Sequence, residues 1–308
     1  MNRQEIWAFH LETDIQEAAE TMNNFKCKLC KTCDGRACIG QMPGMGGPLE
    51  NKNFILNCQA WKNYYQQEDY RQNAKVFLGP MTGAVENVGY PDEKQFYSDL
   101  FSAVAKTRIK ISLGDGTPDT KLQYGLEALS ATGKKAAVFF KPYPDQKIYE
   151  RIEWAQNQAE YLGMDTDAYN IITMRNLVHL ERKTGSQLKE LKKYINGLGL
   201  PFVIKGIFTQ WDLGVVEELH PDAVVVSNHG GRIETETGST ADYLKNHIDY
   251  LKKYCGEVWV DGGIRSRDDI NAAAFLGADA VMVGRPAVTA LCRSGEEGIR
   301  LLAEKLGL

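Results

Sequence analysis

No apolar run in the 308-residue sequence approaches the roughly 20 residues that a membrane-crossing helix needs. A membrane-embedded protein is therefore not expected. A basic excess is also missing: 36 Lys and Arg stand against 40 Asp and Glu, a formal net charge of −4. That balance argues against nucleic acid as the main partner. The first 21 residues lack the basic and then apolar layout of a secretory signal, so a cytoplasmic location is expected. Linkers and low-complexity tracts are absent too. Cysteine is not dense enough for a small secreted disulfide scaffold, because only seven are spread over the whole chain.

What the chain has is a regular alternation. Short apolar runs occur at Val76–Gly79, Ile109–Leu113, Ala136–Phe140, Leu162–Asp165, Phe202–Lys205, Ala223–Ser227, Val258–Asp261 and Ala280–Gly284. Between them lie helical patterns at Asp92–Lys106, Gln146–Tyr161, Ser186–Asn196, Gln210–Leu219, Ala241–Tyr254 and Arg267–Leu276, with Thr240 and Ser266 as candidate N-caps. Buried strands alternating with helices indicate a parallel sheet. Eight such units, each strand ending in glycine or a polar residue, predict an α/β fold of the (β/α)8 TIM-barrel type with its site at the C-terminal face. An open doubly wound sheet is the alternative. Residues 1–70 stand outside this rhythm and read as an N-terminal extension, leaving residues 71–308 for the barrel.

The strand exits carry the chemistry. Val224–Val226 runs into Ser227-Asn228-His229-Gly230-Gly231-Arg232, which places a potential base and a guanidinium three residues apart. The glycines between them let backbone approach a flat ring or a phosphate. Phe202–Ile204 ends in Lys205. Val258–Val260 ends in Asp261-Gly262-Gly263-Ile264-Arg265, and Ala280–Val283 in Gly284-Arg285-Pro286. Loops after the last two strands of a barrel are where phosphates bind, and exposed backbone N–H groups there suit a dianion. Asp165 and Asp167 are both placed to face a base, and the strand end favours Asp165.

These motifs resemble the FMN-dependent α-hydroxy acid oxidases and dehydrogenases, most strongly over residues 200–290, and in particular a short cysteine-bearing bacterial branch. The resemblance implies FMN as cofactor and oxidation of a small α-hydroxy acid to its 2-oxo acid. It makes His229 the base, Arg232 the clamp on the substrate carboxylate, Asp165 the aspartate that orients the imidazole, and Lys205 the cation beside the reduced flavin. Tyr143 matches a tyrosine after the third strand, although here it follows Phe140-Lys141-Pro142 in place of a glutamine-containing run. The expected flavin contacts come from Pro80, Met81, Thr82, Ser112, Lys141, Lys205, Ser227, His229, Gly230 and Arg232. Asp261, Gly262, Gly263, Arg265, Gly284 and Arg285 complete that set at the phosphate end. The second substrate arginine expected after the fourth strand has no match in Tyr169-Asn170-Ile171-Ile172, with Arg175 nearby. A small carboxylate substrate, an unidentified electron acceptor and a homo-oligomer are the partners implied.

The N-terminal extension holds Cys27, Cys30, Cys33 and Cys38 within twelve residues. Four thiolates so spaced suit zinc or an iron–sulfur cluster; reduced thiols or a disulfide pair are the plainer alternatives. Cys58, Cys255 and Cys292 read as ordinary core or helix thiols. Two other functions stay open at this point. One is a flavin-dependent isomerase of the isopentenyl diphosphate type, disfavoured because a diphosphate calls for more basic residues and a metal-binding acid. The other is a flavin or metal redox sensor.

Overall fold

A computed structural model describes residues 52–66, 74–85, 90–171, 178–233 and 235–308. Helix α1 (Lys52–Ala60) and a 3-10 turn (Trp61–Tyr64) precede the barrel. The eight units then run β1 (Lys75–Leu78), α2 (Glu93–Val104), β2 (Ile111–Gly114), α3 (Thr120–Thr132), β3 (Ala136–Phe140), α4 (Asp145–Ala155), β4 (Ala159–Asp165) and α5 (Gly185–Gly197). They continue β5 (Phe202–Ile207), α6 (Gln210–Leu219), β6 (Ala223–Val226), α7 (Thr240–Tyr254), β7 (Glu257–Asp261), α8 (Arg267–Phe275), β8 (Ala280–Val283) and α9 (Arg285–Lys305). All strands are parallel, in the order β1-β8-β7-β6-β5-β4-β3-β2. A bridge between Phe77 and Lys110 joins β1 to β2 and closes the ring, with Leu78 N donating to Lys110 O at 2.7 Å. The expected TIM barrel is present.

Register decides what fills the barrel. Side chains alternate along each strand, so the interior receives Phe77, Ala137, Phe139, Val203, Ala223, Val225, Trp259, Ala280 and Met282, which form one packed cluster with Tyr161 against it. Phe77 and Trp259 stack at 4.6 Å, and Tyr161 meets both rings edge-on. Below them Lys75 Nζ reaches Glu257 Oε1 at 2.7 Å and Trp259 Nε1 donates to Glu257 Oε2 at 2.7 Å, which plugs the N-terminal end. The outward faces pack against the helices in the larger core. No helix of the described residues is long and apolar enough to cross a membrane.

Two local expectations change. The helix expected to run to Tyr161 stops at Ala155, and β4 starts at Ala159, because Gln158 O is needed by Ala136 N of β3 and the Tyr161 ring belongs to the barrel interior. The N-cap of α7 is Ser239, not Thr240; Ser239 Oγ accepts from Asp242 N, which frees the Thr240 hydroxyl to donate to Asp261 O at 2.6 Å. Ser266 caps α8 as expected, in a capping box with Asp269. Cys27, Cys30, Cys33, Cys38 and Arg175 lie outside the described residues. Cys58, Cys255 and Cys292 are free thiols, with Cys292 buried and the other two partly so; burial pushes Cys255 and Cys292 up to about 12.

The interior tolerates little added volume. A Cβ built on Gly163 of β4 would lie 2.7 Å from two ring carbons of Phe139 and 3.0 Å from Val203 O. Phe139 is fully buried and has nowhere to retreat. Gly163→Ala should therefore lower unfolding stability by about 1–3 kcal/mol, the usual cost of overpacking, read as a lower urea midpoint at unchanged slope. An unchanged midpoint would mean that the barrel interior is looser than this packing describes.

Candidate active site at the barrel mouth

The alternation that fills the barrel also selects what faces its mouth. Two residues beyond Phe77, Ser112, Phe139, Gly163, Val203, Val225, Trp259 and Met282 on the inward face stand Gly79, Gly114, Lys141, Asp165, Lys205, Ser227, Asp261 and Gly284. The inward ring at the C-terminal end thus consists of glycine, serine and charge. Lys205, Asp165 and Lys141 are buried, which is tolerable only where charges pair or await a ligand.

Lys205 is the hub. Its Nζ lies 3.1 Å from Asp165 Oδ1, 3.6 Å from Asp261 Oδ2 and 3.5 Å from His229 Nε2. Burial would lower the Lys205 pKa, but Asp165, Asp261 and Asp167 outweigh it and hold the ammonium above its ordinary value. For Asp165 the burial penalty is likewise overcome, here by Lys205 and His229, and its carboxyl is held well below the usual carboxylate range.

His229 opens a short turn (His229–Gly231) in which His229, Gly230 and Gly231 have φ of 54°, 63° and 92°. A left-handed histidine is uncommon and marks a site where the fold overrides local preference. The turn is held from inside: Asn228 Oδ1 accepts from Gly231 N at 2.9 Å, and His229 N donates to Ser227 Oγ at 3.1 Å. The imidazole Nδ1 lies 2.8 Å from Asp167 Oδ2. An ionised carboxylate only accepts, so Nδ1 carries the hydrogen and Nε2 presents its lone pair. Nε2 faces Asp165 Oδ2 at 3.6 Å. The choice of Asp165 as the orienting aspartate is corrected by this geometry: Asp167 makes the hydrogen bond and Asp165 is occupied by Lys205. The physical reason is that the chain bends after β4, where Thr166 N and Oγ1 both donate to Lys205 O, so strand alternation no longer governs Asp167.

A cavity of about 670 Å³, counting space open to solvent, runs across this mouth. Pro80, Met81, Lys205, His229, Gly230, Arg232, Asp261, Gly262, Gly263, Arg265, Gly284 and Arg285 all line it. Arg232 is turned by its Nε, which donates to His229 O at 3.1 Å. Ser227 sits behind the wall and donates to Asp261 Oδ2 at 2.8 Å. Thr82, Ser112 and Lys141 are not in the lining; among the described residues the buried Ser112 hydroxyl has no hydrogen-bond partner, nor has Asp261 Oδ1.

Tyr143 also stands outside the cavity lining. Its ring is buried and its hydroxyl lies 3.0 Å from Thr117 Oγ1. Arg151 lies over the ring at 4.6 Å and bonds Asp115 Oδ2 (2.7 Å) and Asp119 Oδ1 (2.5 Å). The proline on each side of Tyr143 and the turn closed by Tyr143 N to Lys141 O direct it toward this ion cluster.

Other site residues escaped sequence reading because α1 brings them from far away in the chain. Asn57 and Asn228 exchange side-chain amide hydrogen bonds (2.8 and 3.3 Å), and Asn57 Oδ1 also accepts from Thr240 N. Trp61 Nε1 donates to Gly262 O at 2.8 Å. Phe54 lies under the guanidinium groups of Arg285 (4.4 Å) and Arg265 (5.4 Å). Gly262 and Gly263, with φ of 90° and 82°, let α1 pass: a Cβ on Gly263 would fall 1.9 Å from Asn57 O. One signal was available, since Asn53 and Asn57 share a face at helical spacing.

A barrel with two arginines and a glycine turn after β7 and β8, and a carboxylate-bound imidazole beside a buried lysine, defines the class of phosphate-anchored cofactor barrels. The chain belongs to a particular family of that class, the FMN-dependent dehydrogenases, whose model matches residues 133–307, more than half of the sequence. It is 42% identical over 107 residues to a 4-hydroxymandelate oxidase of Amycolatopsis orientalis, and 37% identical over 101 residues to 2-hydroxyacid oxidase 2 of Rattus norvegicus. Those matches cover 35% and 33% of this chain, and only 30% and 28% of the relatives. A solved mandelate oxidase variant with (S)-mandelic acid superposes with a TM-score of 0.66 at 21% identity, covering 96% of this chain and 90% of that one. The residues present fit FMN: Arg265, Arg285 and the start of α9 suit its phosphate, the orphaned acceptor Asp261 Oδ1 suits a ribityl hydroxyl, and the glycine walls leave room for a flat ring.

The Asp115–Arg151 pair beneath the mouth is fully buried. Burial, offset by Arg151 and Lys141, leaves the Asp115 carboxyl raised to about 6. A carboxyl whose folded pKa is raised contributes stability below its ordinary pKa, and this is lost as pH rises through about 6. Arg151→Leu should cost about 3–5 kcal/mol at pH 8, where it strands a buried carboxylate, and clearly less at pH 5, where Asp115 is protonated. Urea unfolding at the two pH values checks this; an equal deficit at both would assign the cost to packing alone.

Proposed function

We propose that the protein holds FMN at the barrel mouth and oxidises a small α-hydroxy acid to the 2-oxo acid, passing the electrons on to an acceptor from solution. The observation that carries this reading is the convergence of His229 Nε2, Arg232 and Lys205 on one cavity. The names of the relatives, oxidases of 4-hydroxymandelate and of 2-hydroxy acids, support the same substrate class. Arg265, Arg285 and the Gly262–Gly263 backbone would hold the phosphate. When bound, FMN supplies the two-electron sink for the α-carbon of the substrate.

The chain's own residues do the rest. Arg232 bonds both carboxylate oxygens with its planar fork and so fixes the orientation of the α-carbon. His229 Nε2 takes the substrate hydroxyl proton, since Nδ1 is already committed to Asp167. The imidazolium so formed is stabilised by Asp167 on one nitrogen and Asp165 near the other. Lys205, kept charged by its aspartates, sets a fixed positive potential beside the site. The isomerase reading lacks support, since the cationic groups of the cavity are divided between its two ends.

Heat-released cofactor from the purified protein should chromatograph as FMN. FAD, or failure to reconstitute with FMN, would overturn the phosphate assignment, because the cavity offers a single phosphate end. His229→Ala should keep FMN bound and slow anaerobic flavin bleaching by 2-hydroxy acids by about 10²–10⁴-fold, the usual contribution of a general base. Asp167→Asn should also slow bleaching, because a neutral amide no longer enforces the Nε2 lone pair. Parental rates in the His229 variant would remove it from the base role.

A further inference from the structure

The charges at the barrel mouth do not all find partners. Asp165 pairs with Lys205, Asp167 with His229, and Asp261 with Ser227 and Lys205. Deeper, Asp115 is taken by Arg151. Two cations of this group, the buried Lys141 and the half-buried Arg232, have no carboxylate within 4.0 Å among the described residues. Lys141 is only 6% exposed, and its ammonium makes no hydrogen bond to any described residue. Burial lowers the pKa of both groups, and the more distant carboxylates, Asp165 and Asp115 for Lys141 and Asp165, Asp261 and Asp167 for Arg232, fail to restore either. Lys205, on the next strand but one, has the opposite shift.

An unpaired buried ammonium is costly, and a folded chain that keeps one has an anion for it. Three observations locate that anion. Lys141 stands one residue past the end of β3, in step with Ala137 and Phe139 on its inward face, behind the lining of the cavity rather than in it. The strand order puts β3 across the mouth from β7 and β8, whose exits carry Arg265 and Arg285. The fields of Asp165, Asp115, Arg232 and Lys205 all act on Lys141, which places it between the cluster around His229 and the Asp115–Arg151 pair. We propose that Lys141 is a substrate-positioning residue, its ammonium sharing the substrate carboxylate with the Arg232 guanidinium. This rests on the hydroxy acid reading and adds a second positive partner for the carboxylate beside the Arg232 fork.

The probe is oxalate, a planar dicarboxylate that cannot be oxidised at an α-carbon, titrated calorimetrically into FMN-loaded protein. Lys141→Met should weaken oxalate binding by roughly 10- to 100-fold, the effect of losing one charge-assisted hydrogen bond, while Lys141→Arg keeps most of it. Thermal unfolding of Lys141→Met without oxalate should be unchanged or higher, because the variant buries no unpaired ammonium. A lower unfolding temperature with unchanged oxalate affinity would make Lys141 structural and overturn the proposal. A shifted flavin midpoint potential with unchanged oxalate affinity would assign the ammonium to the cofactor and overturn it equally. If the parent protein binds no oxalate and no 2-hydroxy acid bleaches its flavin, the hydroxy acid reading itself fails, and the clamp with it.

Discussion

The ion pair between Lys205 and Asp165 holds the mouth of this barrel together. Each partner would be prohibitively costly to bury alone, yet both are almost completely enclosed. The register of β4 on β5 places Asp165 opposite Lys205. The same ammonium reaches Asp261 on β7 and the imidazole on the loop after β6. Four strand exits are thereby coupled through one nitrogen. Removing it would strand carboxylates in a low dielectric and shift the charge state of everything around it.

Around that hub the site divides by what must be fixed and what must be open. Asp167 and the left-handed turn fix the imidazole, so that in the proposed base role its other nitrogen would need no reorganisation. The end of the cavity below the loops after β7 and β8 is built from glycine backbone and two arginines over Phe54, parts that would suit the phosphate of the proposed FMN. Between them lies open volume. The division follows from barrel geometry: inward residues at the strand ends are few, and those not committed to pairing are left to hold ligands.

α1 shows that the barrel alone does not complete the mouth. It inserts Asn57 between the loops after β6 and β7, and its backbone passes so close to Gly263 that no side chain fits. Trp61 ties the same turn through Gly262 O, while Tyr64 and Tyr65 bond Asp242 and Asp269 at the starts of α7 and α8. Segments before the first strand thus set the shape of loops near the end of the chain.

Much of this was legible in sequence because it is local. Apolar runs of strand length followed by glycine or charge identify β5 to β8 and their exits, and His229, Arg232, Lys205 and the Gly262–Gly263 turn all lie in the cavity as their motifs imply. Hydrophobic patterning reports which residues face inward, and the inward residues at the C-terminal strand ends are those a barrel offers to a site. Pairing between distant segments has no such local signature. That Asp167 bonds the imidazole while Asp165 goes to Lys205 depends on a chain bend after β4. That Tyr143 turns toward Thr117 and Arg151 depends on a buried ion cluster gathered from three segments. That α1 lies against Gly263 depends on where the chain closes over its own barrel. Sequence alone determined which residue types reach the mouth of the barrel. Tertiary structure decided which of them meet, because the energy of a buried charge depends on its partners in space and not on its neighbours in the chain.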